Sequence, residues 1–227
     1  MCHISCILFG VNHLSSEDIE GNSVLDIGSY NYNGNFAQVV KRLRPSKFVG
    51  IDMLPGPGVD IVCLGEDAVK TFGKESFDVV IASELMEHTR NWRDVISNIK
   101  NVCKPGGLLI ITTRSKGFKL HGYPNDYWRY ELSDMREIFS DCTIEVLESD
   151  PEAPGVFLRA IKPVDFKEND LTNIALYSII EKRRIQNIDE VKEKAFQRKY
   201  GFYRKLLRMK RRFEGGLYQL CKKVLSF

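Results

Sequence analysis

The chain lacks any apolar run approaching the roughly 20 residues that a membrane-spanning helix needs. Its longest uninterrupted stretches are short ones such as Ile7-Leu8-Phe9 and Val79-Val80-Ile81-Ala82. Lys and Arg are absent from the first ten residues, and no stretch of signal-peptide length follows them, so a cytoplasmic location is the expectation. There is no CxxC pair among the six cysteines, Cys2, Cys6, Cys63, Cys103, Cys142 and Cys221. That argues against a disulfide framework or a zinc fold and for free thiols in a reducing compartment. Cys2, His3 and Cys6 offer three ligand atoms close in sequence, but no fourth partner is evident and the spacing matches no common site. No metal is expected, and the segment reads as a short N-terminal helix. Internal repeats and low-complexity tracts are also missing. With 8 prolines, 17 glycines, 43% apolar and 28% charged residues in 227, the chain is neither collagen-like nor disordered, and it is long enough to bury a substantial core.

What is there is unevenly charged. From residue 165 onward 16 Lys/Arg stand against 8 Asp/Glu, whereas 17 stand against 22 before it. The change falls at Lys162-Pro163, where the β-type runs also end, so a domain of residues 1–163 and a basic, helical extension of residues 164–227 are expected. Within the first part, apolar runs alternate with helix-period segments. Val24 to Gly28, Phe48 to Asp52, Val59 to Cys63, Phe77 to Ser83 and Leu108 to Thr113 read as five strands, with Thr143 to Leu147 and Val156 to Ile161 as two more. Phe36, Val39, Val40 and Leu43 mark a helix that stops before Pro45; Trp92, Val95, Ile96, Ile99, Val102 and Cys103 mark another that ends at Pro105-Gly106-Gly107. A short helix is expected over Ser133 to Phe139. The fold class is α/β: a Rossmann-like, doubly wound, mostly parallel seven-stranded sheet, with its ligand crevice at the carboxyl ends of the strands.

Two carboxylates fall on that edge. Asp26 lies in the first strand and Asp52 closes the second, where it can accept hydrogen bonds from both hydroxyls of a ribose. Gly28 and Gly34 bracket a turn, Ser29 to Asn33, that admits a ligand close to the backbone. The loop is not GxGxxG: it lacks the middle glycine that seats a pyrophosphate on a helix N-terminus, which favours a nucleoside without phosphates over a dinucleotide. The alternative is that these glycines only turn the chain.

The order of strand, glycine loop, helix, strand ending in Asp52, then Phe77-Asp78-Val79-Val80, Glu84-Leu85-Met86-Glu87-His88 and Lys104-Pro105-Gly106-Gly107 resembles the class I S-adenosylmethionine-dependent methyltransferases, of the type 11-like methyltransferase domain, over about Leu14 to Pro163. The resemblance implies S-adenosyl-L-methionine as cofactor, with Asp26, Gly28 and Gly34 around its methionine moiety, Asp52 on the ribose and Met53 on adenine; Ser29 and Glu84 complete the implied set. Where many relatives place an Asp toward the adenine amino group, this chain has Leu64, and Glu66 or Asp67 are the substitutes nearby.

For the acceptor, His121-Gly122-Tyr123-Pro124-Asn125-Asp126-Tyr127-Trp128-Arg129-Tyr130 follows strand five. Tyr123, Asn125, Tyr127, Trp128 and Arg129 are candidate substrate-binding residues, because stacking faces with interleaved polar groups suit a saccharide or another small molecule. The alternative is that Trp128 and Tyr130 pack a lid and Arg129 pairs with Asp126. His88 is a candidate general base for an acceptor hydroxyl, with His121 and Asp126 as rivals. The expected function is O-methylation of a saccharide or similar acceptor by direct displacement; an RNA methyltransferase and a non-catalytic interaction module are the alternatives. The apolar positions Phe202, Leu206, Met209 and Phe213 share a helical face, and Leu217 to Phe227 forms a second amphipathic piece. Three partners are open for them: the headgroups of an anionic membrane, RNA phosphates, or the protein's own domains.

Overall fold

A computed structural model of the chain describes residues 4–31, 34, 36–122, 125–202 and 205. Short runs of apolar, β-branched residues form the strands of the main sheet: β1 (Ser23–Ile27), β2 (Lys47–Asp52), β3 (Ile61–Val62), β4 (Phe77–Ser83), β5 (Cys103–Arg114), then, after a two-residue strand β6 (Trp128–Arg129) that lies elsewhere, β7 (Thr143–Ser149) and β8 (Gly155–Ile161). The order is β3-β2-β1-β4-β5-β8-β7, parallel throughout except that β8 runs against both neighbours. This is the expected Rossmann-like sheet.

Central strands buried on both faces read as continuous apolar runs, because each alternate side chain enters a different core layer. Val24, Val79, Ile81, Leu108 and Ile110 pack on one face with Cys6 and Phe9 of α1 (Ile4–His13) and Val40 of α3 (Ala37–Arg42). Between these helices, Ser15 caps the short α2 (Ser16–Ile19) with a reciprocal Ser15–Asp18 box. The opposite face is covered by α5 (Trp92–Val102), whose Trp92, Val95, Ile96, Ile99 and Val102 are buried at helical spacing, with α4 (Ala68–Phe72) beside it. The strand expected over Val59 to Cys63 is only two residues long: the Val59 amide bonds back to Gly56 in a turn, and the Asp60 amide reaches the Gly50 carbonyl of β2 just before the pairing begins. The helix expected near Ser133 is α6 (Leu132–Ile138).

The segment after Pro163 departs from expectation. Residues 164–186 are not helical: β9 (Leu176–Ser178) and β10 (Arg183–Ile185) pair with β6 in a small antiparallel sheet, order β10-β9-β6. The chain divides into compact units after Gln186, not at Pro163. Arg93 on α5 explains the attachment. Its guanidinium donates to the carbonyls of Leu171 (2.8 Å), Ile174 (2.7 Å), Gln186 (2.9 Å) and Thr172 (3.4 Å). Buried Lys100 adds bonds to Asn169 Oδ1 (3.0 Å) and Asp141 Oδ2 (2.7 Å). Arg93→Met leaves several of these carbonyls unsatisfied, and we expect a loss of about 3 kcal/mol in chemical denaturation. The second unit, from Asn187, contains a helix over 190–202. Most of the amphipathic stretch from Phe202 to Phe213, and all of Leu217 to Phe227, lie outside the described residues. Among the described residues no helix is long and apolar enough to cross a membrane.

Candidate active site

Parallel pairing brings the ends of β1, β2 and β4 to one level: Ile27 sits opposite Ile51 and Ala82, so Gly28, Asp52 and Glu84 leave the sheet side by side. Gly28 turns the chain with φ +83°, where a side chain is strained, and its amide bonds the Ile51 carbonyl. Asp26 is 2% exposed and its Oδ2 has no hydrogen-bond partner. Burial, and then the neighbouring charge of Asp52, push its carboxyl up to about 7, against the pull of Lys41. Asp52 accepts from the Leu54 amide (3.0 Å) and the Tyr30 amide (3.3 Å). The Tyr30 ring lies against Gly56, where a Cβ would stand 2.2 Å from it. Ser29 is buried beneath the turn, and Gly34 bonds Asn31 Oδ1 at 2.7 Å.

Next to Asp52 is a pocket of about 290 Å³ lined by Met53, Val62, Cys63, Leu64, Asp67, Lys70 and Thr71. Met53 and Leu64, both about half exposed, present apolar surface there. Of the two acids offered as substitutes at Leu64, Asp67 lines this pocket and Glu66 does not. Glu84 is brought to the edge but is not open: it is buried, has φ +54°, and pairs with Arg114, which also holds Asp150 at 2.9 Å. Its other oxygen, Oε1, is buried without a hydrogen-bond partner.

Beyond β4 the structure gathers a second set. Glu87, 0% exposed, accepts from Thr113 Oγ1 at 2.9 Å through Oε2. Its Oε1 faces His88 Nε2 at 3.7 Å and His121 Nε2 at 3.5 Å. His88 Nδ1 bonds the Asn125 carbonyl at 2.5 Å. A carbonyl only accepts, so Nδ1 carries the proton and the lone pair of the neutral ring is on Nε2. His121 Nδ1 lies 3.2 Å from Asp126 Oδ2, and Arg129 holds Asp126 with two bonds of 2.5 and 2.9 Å. Burial lowers the His88 pKa. For His121, burial acts the same way but is outweighed by Asp126 and Glu87, which raise it to about 9. Asp126, despite burial, is held at about 2 by the Arg129 and His121 hydrogen bonds.

These contacts correct the acceptor reading. Asp126 is a buried ion-pair member and a poor base, and His121 is clasped between two carboxylates. Trp128 and Arg129 are buried, with the indole N–H on the Thr89 and Arg90 carbonyls and the guanidinium on Asp126, Trp128 and Lys119. Tyr130 bonds the Met86 carbonyl at 3.2 Å. These three build the loop instead of facing a ligand. Tyr127 is buried as well, and its hydroxyl bonds Asn125 Oδ1 at 3.3 Å. Tyr123 lies outside the described residues.

Residues 9–148 match the family described as a methyltransferase domain. The chain belongs to this family. Among curated methyltransferases, the ubiquinone biosynthesis O-methyltransferase of Parvibaculum lavamentivorans is 31% identical over 122 residues, 52% of this chain and 47% of that one. The chain thus spans about half the length of this relative. Among solved structures, an S-adenosylmethionine-dependent methyltransferase from Mesorhizobium loti superposes with a TM-score of 0.52 at 14% identity, covering 67% of this chain and 95% of the other. The 1,6-didemethyltoxoflavin-N1-methyltransferase of Burkholderia thailandensis, solved with S-adenosylhomocysteine, gives 0.53 at 14% identity, covering 70% and 76%.

The residues of this methyltransferase domain fit S-adenosylmethionine. An unpartnered buried carboxyl, Asp26, suits a ligand ammonium; Asp52 at a strand end suits ribose hydroxyls; and the pocket by Met53 and Leu64 has an apolar wall for a base. Glu87, Thr113 and Tyr30 are members of the site that the sequence did not single out. Glu87 is one carboxylate among many in the chain, and its only signal was its place directly before His88.

Proposed function

We propose that this methyltransferase-domain protein transfers the methyl group of S-adenosylmethionine to an oxygen of a saccharide or other small-molecule acceptor. The observation that carries the reading is the pair Asp26 and Asp52, set at the carboxyl edge beside the Gly28 turn, with the first carboxyl buried and unpartnered. The O-methyl specificity is supported by the matched curated relatives, which are named O-methyltransferases. Bound there, the sulfonium supplies an already activated methyl group. The protein's share is then positioning: Asp26 orients the ammonium end, Asp52 the ribose, and Met53, Leu64 and Asp67 the base. The acceptor enters on the β4–β5 side, where His88 and His121 keep about a fifth of their side-chain surface open.

Calorimetry with S-adenosylhomocysteine tests the cofactor half, and incubation with methyl-labelled cofactor and fractionated cell extract tests the acceptor half. Label in the glycan or small-molecule fraction is expected; label confined to RNA or protein overturns the acceptor assignment. The buried carboxyl adds a pH signature. Asp26 is largely protonated below about pH 7 in the free protein, while the ligand ammonium stays charged and pairs with the ionised form. Affinity for S-adenosylhomocysteine should therefore rise with pH from 5.5 to 7, by up to about tenfold per unit, and then level off. Asp26→Asn should flatten that profile; a wild-type profile already flat would remove Asp26 from the ammonium. Linkage has the opposite sign for the free protein. Between about pH 4 and 7 the native state keeps a proton that the unfolded chain releases, so this group lowers stability as pH rises through that window.

A further inference from the structure

We propose that Glu87 Oε1, His88 Nε2 and His121 Nε2 form a binding site for one first-row divalent cation, held by two imidazoles and a carboxylate on the β4–β5 side of the carboxyl edge. One ligand atom from each of the three residues lies within 4.8 Å of the others, and Glu87 Oε1 is 3.7 Å from His88 Nε2 and 3.5 Å from His121 Nε2. Ligands about 2.1 Å from one ion at tetrahedral or octahedral angles stand about 3 to 3.4 Å apart, so both Glu87–histidine distances need to contract by only a few tenths of an ångström, and the two rings close on the ion by rotation.

The far side of each ligand is already anchored. Glu87 Oε2 takes the Thr113 hydroxyl, His88 Nδ1 donates to the Asn125 carbonyl, and His121 Nδ1 faces Asp126, itself pinned by Arg129. Metal-binding histidines are held in this way, one nitrogen on a carbonyl or carboxylate and the other presented to the ion. Glu87 Oε1 is buried, makes no close hydrogen bond, and has only the two imidazoles in front of it, at 3.7 and 3.5 Å, so a cation that displaces the His121 proton finds this oxygen aimed into the cluster. Gly122 protects the arrangement: at φ +59° it packs on the His88 ring, where a Cβ would come within 2.5 Å of Cε1. Two nitrogens and one oxygen select a borderline ion such as Fe²⁺, Co²⁺, Ni²⁺ or Zn²⁺ over Mg²⁺ or Ca²⁺, which want oxygen throughout.

Both imidazoles are partly open to solvent, so the ion keeps positions for an outside oxygen. The use of those positions to hold an acceptor hydroxyl rests on the methyl-transfer reading; the site itself does not. In that role His88 is a ligand and positioning group, and an ion there would lower the pKa of a coordinated acceptor hydroxyl, whose proton would pass to water at the open face as the O–CH3 bond forms and the S–CH3 bond breaks.

The test is titration of the tag-free, chelator-treated full chain with Co²⁺, followed by visible absorption and calorimetry. One equivalent per chain is expected, with affinity lowered at least about 100-fold in Glu87→Gln and His121→Ala and about 10- to 100-fold in Asp126→Asn. Because a buried substitution can unfold the protein, X-ray absorption of the Co²⁺-loaded wild type provides a readout free of variants: two imidazole shells and no sulfur are expected. Absence of stoichiometric uptake, sulfur ligation, or folded variants that bind as tightly as wild type would each overturn the proposal. S-adenosylhomocysteine calorimetry on the same chelated sample separates the two ideas: intact cofactor binding with no Co²⁺ uptake sinks the cation site alone.

Discussion

Asp52→Ala should reduce affinity for S-adenosylhomocysteine by at least about 100-fold while leaving the fold intact. The side chain is half-buried at the end of β2, and its two oxygens now accept only backbone amides, from Leu54 at 3.0 Å and Tyr30 at 3.3 Å. Two hydrogen bonds from ribose hydroxyls to a carboxylate contribute about 3 kcal/mol or more between them, which is the factor of 100. The stability cost is smaller, because the Leu54 and Tyr30 amides lie in surface loops where water replaces the lost acceptor. Calorimetry and a melting curve on the same sample decide the matter. Affinity within about threefold of wild type would show that the ribose is held elsewhere, and a collapsed melting transition would show that Asp52 is needed to hold the glycine turn.

Arg129→Met should cost about 3 to 5 kcal/mol of folding stability at neutral pH. Arg129 and Asp126 are both completely buried, joined by bonds of 2.5 and 2.9 Å, and Arg129 also caps the Trp128 carbonyl at 2.7 Å. Removing Arg129 leaves the buried Asp126 charge with only the partly exposed His121 ring and its amide as partners, and that penalty exceeds the net worth of the intact pair. Methionine keeps most of the volume, so the loss reads out the charge and not a cavity. Urea denaturation monitored by tryptophan fluorescence is suitable, since Trp128 is adjacent. A cost below about 1 kcal/mol would mean that Asp126 finds other partners and that the loop from His121 to Tyr130 is not organised by this pair.

The main sheet was legible because central parallel strands are buried on both faces and therefore appear as bounded apolar runs. Val79-Val80-Ile81-Ala82 and Leu108-Leu109-Ile110-Ile111 have no other comfortable home. The strands β9 and β10 were not legible. Three residues carry no periodic signal, and Arg183-Arg184-Ile185 is mostly charged; it is a strand because Arg93, Lys100 and Asp134 hold its surroundings from distant parts of the chain. The acceptor loop shows the opposite error. Its aromatic and charged residues suggest a ligand surface by type, but Trp128, Arg129 and Tyr130 turn inward and satisfy one another's neighbours.

The amino-acid order alone determined the alternation of strands and helices, and with it the arrival of Asp26, Gly28, Asp52 and His88 at one rim, since parallel strands all end on the same side. What only the folded chain decided was which polar atoms are already engaged and which remain open. Asp126 is held by Arg129 and Glu84 Oε2 by Arg114, whereas Asp26 Oδ2 is buried without a hydrogen bond and Glu87 Oε1 faces only the His88 and His121 rings. The physical reason is that a hydrogen bond between residues far apart in sequence depends on packing distances, and those are set by the whole core and not by any local pattern.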